Sequence, residues 1–414
     1  MRFSTMTLGC KVNQYETQAL ESILQKQGHE LVNTGDGCDT CIINTCAVTL
    51  EAERKSRQMI RRAKKLEPNA RVAACGCYAQ LTRQGDGSSV LLSEIHINEL
   101  LPETNKTDEL FASAEDEMTP SPCLEPGNTA NRTRALLKIQ DGCDNFCTYC
   151  IVPHIRGRSR SLPQELLAEY AKQLGEQGYK EIVITGIEIS SFTPDLLSAI
   201  KTINDNAPSA RLRLGSLDPA ILSDDYCGEL KKASKLCNHF HLSLQSGCDD
   251  ILHKMGRKYN TSHVLQGIDS LRSNFPGCAV TADLITGFPG ETEDDFNQTI
   301  NFIKKAAFSD MHIFPYSPRP GTKAADMPGQ IEKSIKKERA RIAINIAKKM
   351  TENYKKTQIG NTLEVLFEQE KSSFSKGHSE NYQMVTVKGK IERNSIHNVM
   401  IKGIKNDILT GEIV

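Results

Sequence analysis

Three cysteines fall within eight consecutive positions in the segment Gly142-Cys143-Asp144-Asn145-Phe146-Cys147-Thr148-Tyr149-Cys150. Thiolates at C-x3-C-x2-C hold three corners of a cubane [4Fe–4S] cluster and leave the fourth iron without a protein ligand. A structural zinc site is the competing reading, but zinc wants four ligands, usually as paired cysteines or histidines. Only His154 stands close by in the sequence. A chain with this loop must bring three thiols to one point, and here the loop follows directly on the apolar run ALLKI (135–139).

The remainder alternates in a way that supplies such a point. ALLKI, EIVIT (181–185), LRLGS (212–216), HFHLSLQ (239–245), AVTADLI (279–285) and HIFPY (312–316) are strand candidates. Helical patterns separate most of them, for example LPQELLAEYAKQLGEQG (162–178) and TEDDFNQTINFIKKA (292–306). Six βα-like units over about 200 residues predict a partial or complete β/α barrel, whose chemistry sits at the C-terminal ends of its strands. The cysteine loop lies at that mouth.

The first third reads as a separate unit. RFSTMTL (2–8), DTCIINT (39–45) and RVAA (71–74) are strands, with helices from about Tyr15 to Gln27 and from about Thr49 to Leu66. This rhythm predicts an open parallel α/β sheet. From about Gln80 the pattern weakens, and ASAEDEMTPSPCLEPGNTANR (112–132) has linker composition. Residues 331–356 carry apolar side chains at Ile335, Ile342, Ile346 and Met350, the spacing of one long amphipathic helix. Beyond Gly360, TLEVLFE, YQMVTVKG, NVMIKG and ILTGEIV predict a small β-barrel or sandwich. The expected domains are 1–125, 132–357 and 358–414.

Composition narrows the class. The chain has 414 residues, 38% of them hydrophobic, and 51 Lys+Arg balance 51 Asp+Glu. That excludes disorder, collagen and coiled coil as dominant states. No apolar run is long enough for a membrane-spanning helix, and MRFSTMTLGC does not read as a secretory signal. The expected location is the cytoplasm, where fourteen cysteines are not a disulfide framework.

A second, dispersed cysteine set follows from the sheet. Cys10, Cys46 and Cys77 each come just after a strand candidate, and residues past the C-terminal ends of parallel strands converge on one edge. Three thiols meeting there would bind a second cluster, and three unrelated half-buried cysteines are the plain alternative. Cys75 is a rival to Cys77. Cys38, Cys41, Cys123, Cys227, Cys237, Cys248 and Cys278 read as packing or surface residues.

The loop CDNFCTYC resembles the cluster motif of the radical S-adenosylmethionine superfamily. LGCKVNQYE around Cys10, INTCAVT around Cys46 and GCYAQ around Cys77 are similar to the N-terminal domain of its methylthiotransferase family. HIRGRSRS (154–161), HLSLQSG (241–247), MGRKY (255–259), DLITGFPGET (283–292) and FPYSPRPGT (314–322) match as well, and the last module resembles the TRAM domain. The resemblance implies a partial, TIM-like radical S-adenosylmethionine barrel with two [4Fe–4S] clusters. One, on Cys143, Cys147 and Cys150, would cleave S-adenosylmethionine to a 5′-deoxyadenosyl radical. The other, on Cys10, Cys46 and Cys77, would handle the sulfur. A methylthio group would then replace a C–H hydrogen. A reductant such as a flavodoxin or ferredoxin, a sulfur donor and a monomeric state go with that expectation.

CKVNQYE and GRSRS are most similar to the branch that modifies N6-threonylcarbamoyladenosine in tRNA, at C2 of the adenosine 3′ to the anticodon (position 37). Isopentenyladenosine and a ribosomal-protein aspartate are the alternative substrates. A non-catalytic, zinc-stabilised RNA-binding protein is the reading from another class. Support for RNA comes from Arg54, Lys55, Arg57, Arg61, Arg62, Lys64 and Lys65 on one helix. A second run holds Lys333, Lys336, Lys337, Arg339, Arg341, Lys348, Lys349, Lys355 and Lys356. Both suit phosphate contacts, with a solvated helix surface as the alternative. From Gln358 onward seven Lys/Arg meet seven Asp/Glu, so an RNA role there rests on the resemblance alone.

Cofactor contacts are expected from Tyr149, Arg156, Thr185, Gly186, Glu188 (where the branch usually has Asn), Gln245 and Gly287. Arg156, with Arg158 and Arg160, would meet a carboxylate or phosphate, or else form surface salt bridges. Gly287, Pro289 and Gly290 would also shape a turn, with Glu291 starting the next helix.

Overall fold

A computed structural model describes residues 1–84, 133–371 and 373–414. The expected linker, the edge of the first domain at residue 125 and Cys123 lie outside the described residues.

Strands β1 (Arg2–Thr7), β2 (Glu30–Leu31), β3 (Thr40–Thr45) and β4 (Arg71–Gly76) form an all-parallel sheet in the order β2-β1-β3-β4. All six residues of β3 are buried, as befits a strand covered on both faces. Helix α1 spans Lys11–Lys26, α2 Leu50–Leu66 and α3 Cys77–Gln84. α1 starts earlier than Tyr15, where the sequence suggests, because the polar run Lys11–Gln14 hides the period that buries Val12 and Tyr15. In α2, Thr49 caps the N-terminus by accepting from Ala52 N–H at 3.1 Å. Glu51 and Glu53 in the first turn and Lys64 and Lys65 in the last complement the helix dipole.

The central unit is an arc of parallel strands. β5 (Arg134–Lys138) leads into the short antiparallel pair β6 (Gln140–Asp141) and β7 (Arg160–Ser161), with helix α4 (Val152–Arg156) between them. Then come α5 (Gln164–Glu176), β8 (Glu181–Thr185), α6 (Leu196–Asn206), β9 (Arg211–Leu214), β10 (Ser216–Leu217), α7 (Asp224–Leu230) and β11 (His239–Gln245). The arc finishes with α8 (Asp249–Met255), α9 (Thr261–Asn274), β12 (Ala279–Thr286), α10 (Glu293–Ala306) and β13 (Asp310–Pro315). Pairing runs β5-β8-β9 and β10-β11-β12-β13, with only Gly215 separating β9 from β10. The six expected strand positions are all present. Among the described residues β13 does not pair with β5, so the barrel is partial. The main apolar core lies between these strands and the outer helices. On the other face of the strands, Tyr15 of α1 packs on Leu136 and Val183.

Helix α11 (Lys333–Thr357) packs Ile342, Ile346 and Met350 on that core, while Ile335 is exposed. The second basic run is therefore split. Lys336, Arg339 and Lys355 are buried: Arg339 donates to Glu291 Oε2 at 2.7 Å and Lys355 to Asp407 Oδ1 at 2.6 Å. The other basic residues of that run face solvent.

β14 (Thr362–Glu370), β15 (Phe374–Ser379), β16 (Met384–Lys388), β17 (Ile396–Lys405) and β18 (Ile408–Ile413) close a barrel in the order β14-β15-β16-β18-β17. β15 (FSKGHS) escapes sequence reading because its inward residues are Ser375, Gly377 and Ser379 rather than apolar ones. This barrel docks at the N-terminal ends of the central strands. Arg211 and Arg213 both donate to Glu181, at 2.7 Å through their Nε atoms. Their remaining nitrogens reach the carbonyls of Glu364, His378, Ser379 and Glu380 at 2.8–3.1 Å. Burial alone would raise the Glu181 carboxyl, but Arg213 and Arg211 outweigh it and hold it below the usual carboxylate range.

Removing one member of a buried, hydrogen-bonded charge group leaves the others uncompensated. Glu181→Gln is therefore expected to destabilise the fold by about 3–5 kcal/mol. Denaturant unfolding of the variant checks this, and a midpoint equal to wild type would contradict it.

Candidate active site

Gly142 precedes the first thiol with φ +68°, and a Cβ there would stand 1.9 Å from the Arg158 carbonyl oxygen. The returning strand thus presses on the loop, and only glycine fits. Cys143 N–H donates to Gly157 O at 3.1 Å, Cys150 N–H to Cys147 O at 2.9 Å, and Thr148 N–H to Met255 O at 3.0 Å. Burial pushes the Cys143 thiol up to about 11, with Glu188 and Cys147 adding to it. Burial also pushes Cys150 up to about 12, with Cys147 and Cys143 adding. Each of these thiols feels its neighbours. Such a donor set favours a multivalent cation, whose charge relieves the repulsion and expels the protons.

Arg257 was not singled out by the sequence. Its Nη1 donates to Cys147 Sγ at 3.2 Å, its Nη2 to Asp218 Oδ2 at 3.0 Å, and its Nε to Tyr259 OH at 3.0 Å. The MGRKY segment carries it, and only the fold brings that segment under the loop.

The dispersed cysteines also converge. Asn13 Nδ2 donates to Asn44 Oδ1 at 2.8 Å and to Thr45 O at 3.0 Å, joining the start of α1 to the end of β3. Gly76 (φ +83°) ends β4 where a Cβ would lie 2.2 Å from Asn44 Oδ1. Cys10, Cys46 and Cys77 emerge from this junction. Burial raises the Cys46 thiol, and Cys10 raises it further. Burial pushes Cys77 up to about 11, opposed by Arg156 and reinforced by Cys10 and Cys46. Cys75 points elsewhere: its Sγ lies 3.7 Å from Ile43 O, and it packs with Phe3, Leu20 and Leu24. Cys38, Cys41, Cys227, Cys237, Cys248 and Cys278 are buried.

Helix α4 stands between the two groups. Cys77 packs with Ala47, Ile151 and Ile155, next in sequence to Cys150. Arg156 does not project toward an open mouth. Its Nη1 donates to Glu16 Oε1 at 2.7 Å and to Asp141 Oδ1 at 3.2 Å, and it interacts with Cys77. Lys138 completes the network, 2.7 Å from Asp141 Oδ2 and 3.3 Å from Glu16 Oε1. Arg158 is the exposed member of its trio, paired with Asp144 at 2.9 Å. Arg160 donates to the Arg156 carbonyl oxygen at 3.1 Å.

Other expected contacts lie at the strand ends. Thr185 O accepts from Ile139 N–H at 2.9 Å, and Gly186 backs onto Gln140. Glu188 N–H donates to Gln140 Oε1 at 2.8 Å; burial, then Asp218, raises its carboxyl to about 7. Gln245 ends β11 at φ 67°. Tyr149 packs beside Met255, Phe288 and Tyr316. Gly287 N–H donates to Glu291 Oε2 at 2.7 Å, so Glu291 braces the turn. Buried Arg319 contacts Glu53 of α2, and its Nε and Nη1 lack a partner among the described residues.

The model match to the Radical SAM superfamily covers residues 137–303, and that to the Uncharacterized protein family UPF0004 covers residues 2–90. The threonylcarbamoyladenosine tRNA methylthiotransferase MtaB of Bacillus subtilis is 36% identical, over 92% of this chain and 89% of the relative. That of Thermotoga maritima is 36% identical, over 97% and 94%. The chain belongs to the radical S-adenosylmethionine methylthiotransferase family. A tRNA-2-methylthio-N(6)-dimethylallyladenosine synthase of a Thermoanaerobacter species is 34% identical, over 87% and 81%. The solved radical S-adenosylmethionine methyltransferase TsrM of Kitasatospora setae, with cobalamin and a [4Fe–4S] cluster bound, shares the fold. Its TM-score is 0.54 at 13% identity, over 78% of this chain and 77% of that one. The superfamily implies a [4Fe–4S] cluster and S-adenosylmethionine, so this member of it is an enzyme. Among the described residues no helix is long and apolar enough to cross a membrane.

On three neighbouring strands, Asp283 lies 3.2 Å from His241 Nε2 and 3.3 Å from His312 Nδ1. Burial would raise the Asp283 carboxyl, but the two imidazoles lower it to about 2. The hydrogen bond to Asp283 raises His312 above the ordinary histidine value, against its partial desolvation. A raised histidine stabilises the fold below its unfolded pKa, and the contribution fades as pH climbs through the folded value. In Asp283→Asn the His312 titration midpoint, followed by ring-proton NMR, is expected to fall. An unchanged midpoint would mean the carboxylate does not set it.

Proposed function

We propose that the enzyme inserts a methylthio group at C2 of N6-threonylcarbamoyladenosine at position 37 of tRNA. The proposed ligand sets are Cys143, Cys147 and Cys150 for one [4Fe–4S] cluster, and Cys10, Cys46 and Cys77 for a second. The observation that carries this reading is the pair of thiol trios flanking α4, which follows Cys150 in the chain and packs Ile155 with Cys77, while Arg156 at its end interacts with Cys77. The names of the full-length relatives support the substrate. When bound, one S-adenosylmethionine would give, with the first cluster, the radical that removes hydrogen from carbon, another would give the methyl group, and the second cluster would handle the sulfur.

The chain's own part is placement and protection. Arg257 holds Cys147 through its Sγ, and Tyr149 packs one side of the loop against Met255, Phe288 and Tyr316. Glu188, raised to about 7, is half-protonated near neutrality and can donate or accept a hydrogen bond at the mouth. Exposed Arg61, Arg62, Lys64 and Lys65 of α2 support RNA backbone contact. Residues 1–125, 132–357 and 358–414 would be the sulfur-handling, radical-generating and TRAM-like RNA-binding domains of a monomer in the cytoplasm. A flavodoxin or ferredoxin would supply electrons, and a separate donor the sulfur.

Replacing Cys143, Cys147 or Cys150 with Ala is expected to abolish S-adenosylmethionine cleavage. Replacing Cys10, Cys46 or Cys77 should leave cleavage intact and end methylthio transfer, with iron falling from about eight to about four atoms per chain. Loss of 5′-deoxyadenosine from a folded variant of the second set would refute this division. Cys75→Ala should keep full activity. Mass spectrometry of tRNA nucleosides with and without the gene tests the substrate: persistence of the methylthio nucleoside without the gene would refute it.

A further inference from the structure

A cavity of about 380 Å³ lies against the inner face of the central strands, walled by Leu136, Val183, Arg213 and Tyr382, with Arg134 and Glu368 at its rim. Leu136 and Val183 stand two residues below the ends of β5 and β8, and Arg213 one residue below the end of β9, or about 3–7 Å beneath the strand ends. Lys11, the residue after Cys10, lines it from the first turn of α1. The lining carries four cations, Lys11, Arg134, Arg213 and Arg393, against the single carboxylate of Glu368.

The cations differ in what they face. Arg134 is paired with Glu368 at 2.8 Å, and Arg213 with Glu181 at 2.7 Å. Among the described residues no carboxylate stands within ion-pair distance of Lys11, a half-buried ammonium facing two guanidinium groups. A cation so placed is short of one anion. Threonylcarbamoyladenosine carries a carboxylate at the far end of its N6 arm, whereas a dimethylallyl arm carries no charge. Lys11 directly follows Cys10, which ties this cavity to the second thiol group.

We propose that Lys11 binds the carboxylate of the threonylcarbamoyl arm and so selects it over uncharged N6 substituents. Leu136, Val183 and the Tyr382 ring wall the arm, and Arg134, paired with Glu368, and Arg213, which shares Glu181 with Arg211, add to the positive field around it. The proposal rests on the substrate reading above.

The test uses the reconstituted holoenzyme and three anticodon stem-loops bearing at position 37 the threonylcarbamoyl acid, its threonine amide, or plain adenosine. By fluorescence anisotropy the wild type should bind the acid on the order of 10- to 100-fold more tightly than the amide. Lys11→Met should erase that difference while leaving affinity for the plain stem-loop, iron content and melting temperature unchanged, and Lys11→Arg should restore much of it. Equal wild-type affinity for acid and amide overturns the proposal, as does a preference surviving in Lys11→Met. A uniform loss across all three RNAs also overturns it, since Lys11 would then serve a backbone phosphate. Product analysis separates the two levels: methylthio product from the acid stem-loop without acid–amide discrimination sinks only the role of Lys11. No product from the wild type sinks the substrate itself.

Discussion

The arrangement depends on four buried charges, Glu16, Lys138, Asp141 and Arg156, which come from α1, β5, β6 and α4 and sum to zero. Burial would raise the Asp141 carboxyl, but Lys138 and Arg156 hold it below the usual carboxylate range. Buried ion groups add little net stability, because desolvation offsets attraction, yet they are severe about geometry. Here the geometry matters. Glu16 shares a helix with the residues that follow Cys10, and Arg156 ends the helix that follows Cys150. Any sliding of one unit over the other would strand a charge in a medium that cannot solvate it. The relative placement of the two thiol groups is thereby held by side-chain electrostatics together with the apolar contacts of Cys77 with Ile155 and of Tyr15 with Leu136 and Val183.

Much of this was legible in the sequence, for a physical reason. Strand period and helical period differ, so β1, β3, β4 and the six strands of the arc announce themselves. Parallel strands then put whatever follows them on one edge, which is why Cys10, Cys46 and Cys77 could be grouped across 67 positions. Cys75 and Cys77 look alike in the sequence; the difference is that the first is still in β4 and the second begins α3. Polarity defeated the reading elsewhere. α1 begins with polar residues, β15 turns Ser and Gly inward, and Arg257 lies 110 residues beyond the thiol it touches. Arg156 shows the same limit: a sequence gives an arginine next to a cluster loop, but not the two carboxylates that claim it.

Net charge was equally blind. The balance of 51 against 51 conceals a sharp segregation. α2 keeps most of its cations in solvent, while α11 spends Lys336, Arg339 and Lys355 on internal contacts. Two helices of similar composition therefore present different surfaces. The deciding variable is which face each must bury, and that follows from its neighbours.

The position of the C-terminal barrel carries the same logic to the whole molecule. Arg211, the first residue of β9, and Arg213, both held by Glu181 at the start of β8, anchor it by donating to its carbonyls. It therefore docks at the N-terminal ends of these two strands, whereas the cysteine loop follows the C-terminal end of β5. The longest strand of the arc, β12, has eight residues, or about 26 Å of rise. Tyr382, between β15 and β16, nevertheless lines the same cavity as Lys11, the residue after Cys10. The barrel thus meets α1 and the strands β5, β8 and β9 around one cavity rather than standing apart from them.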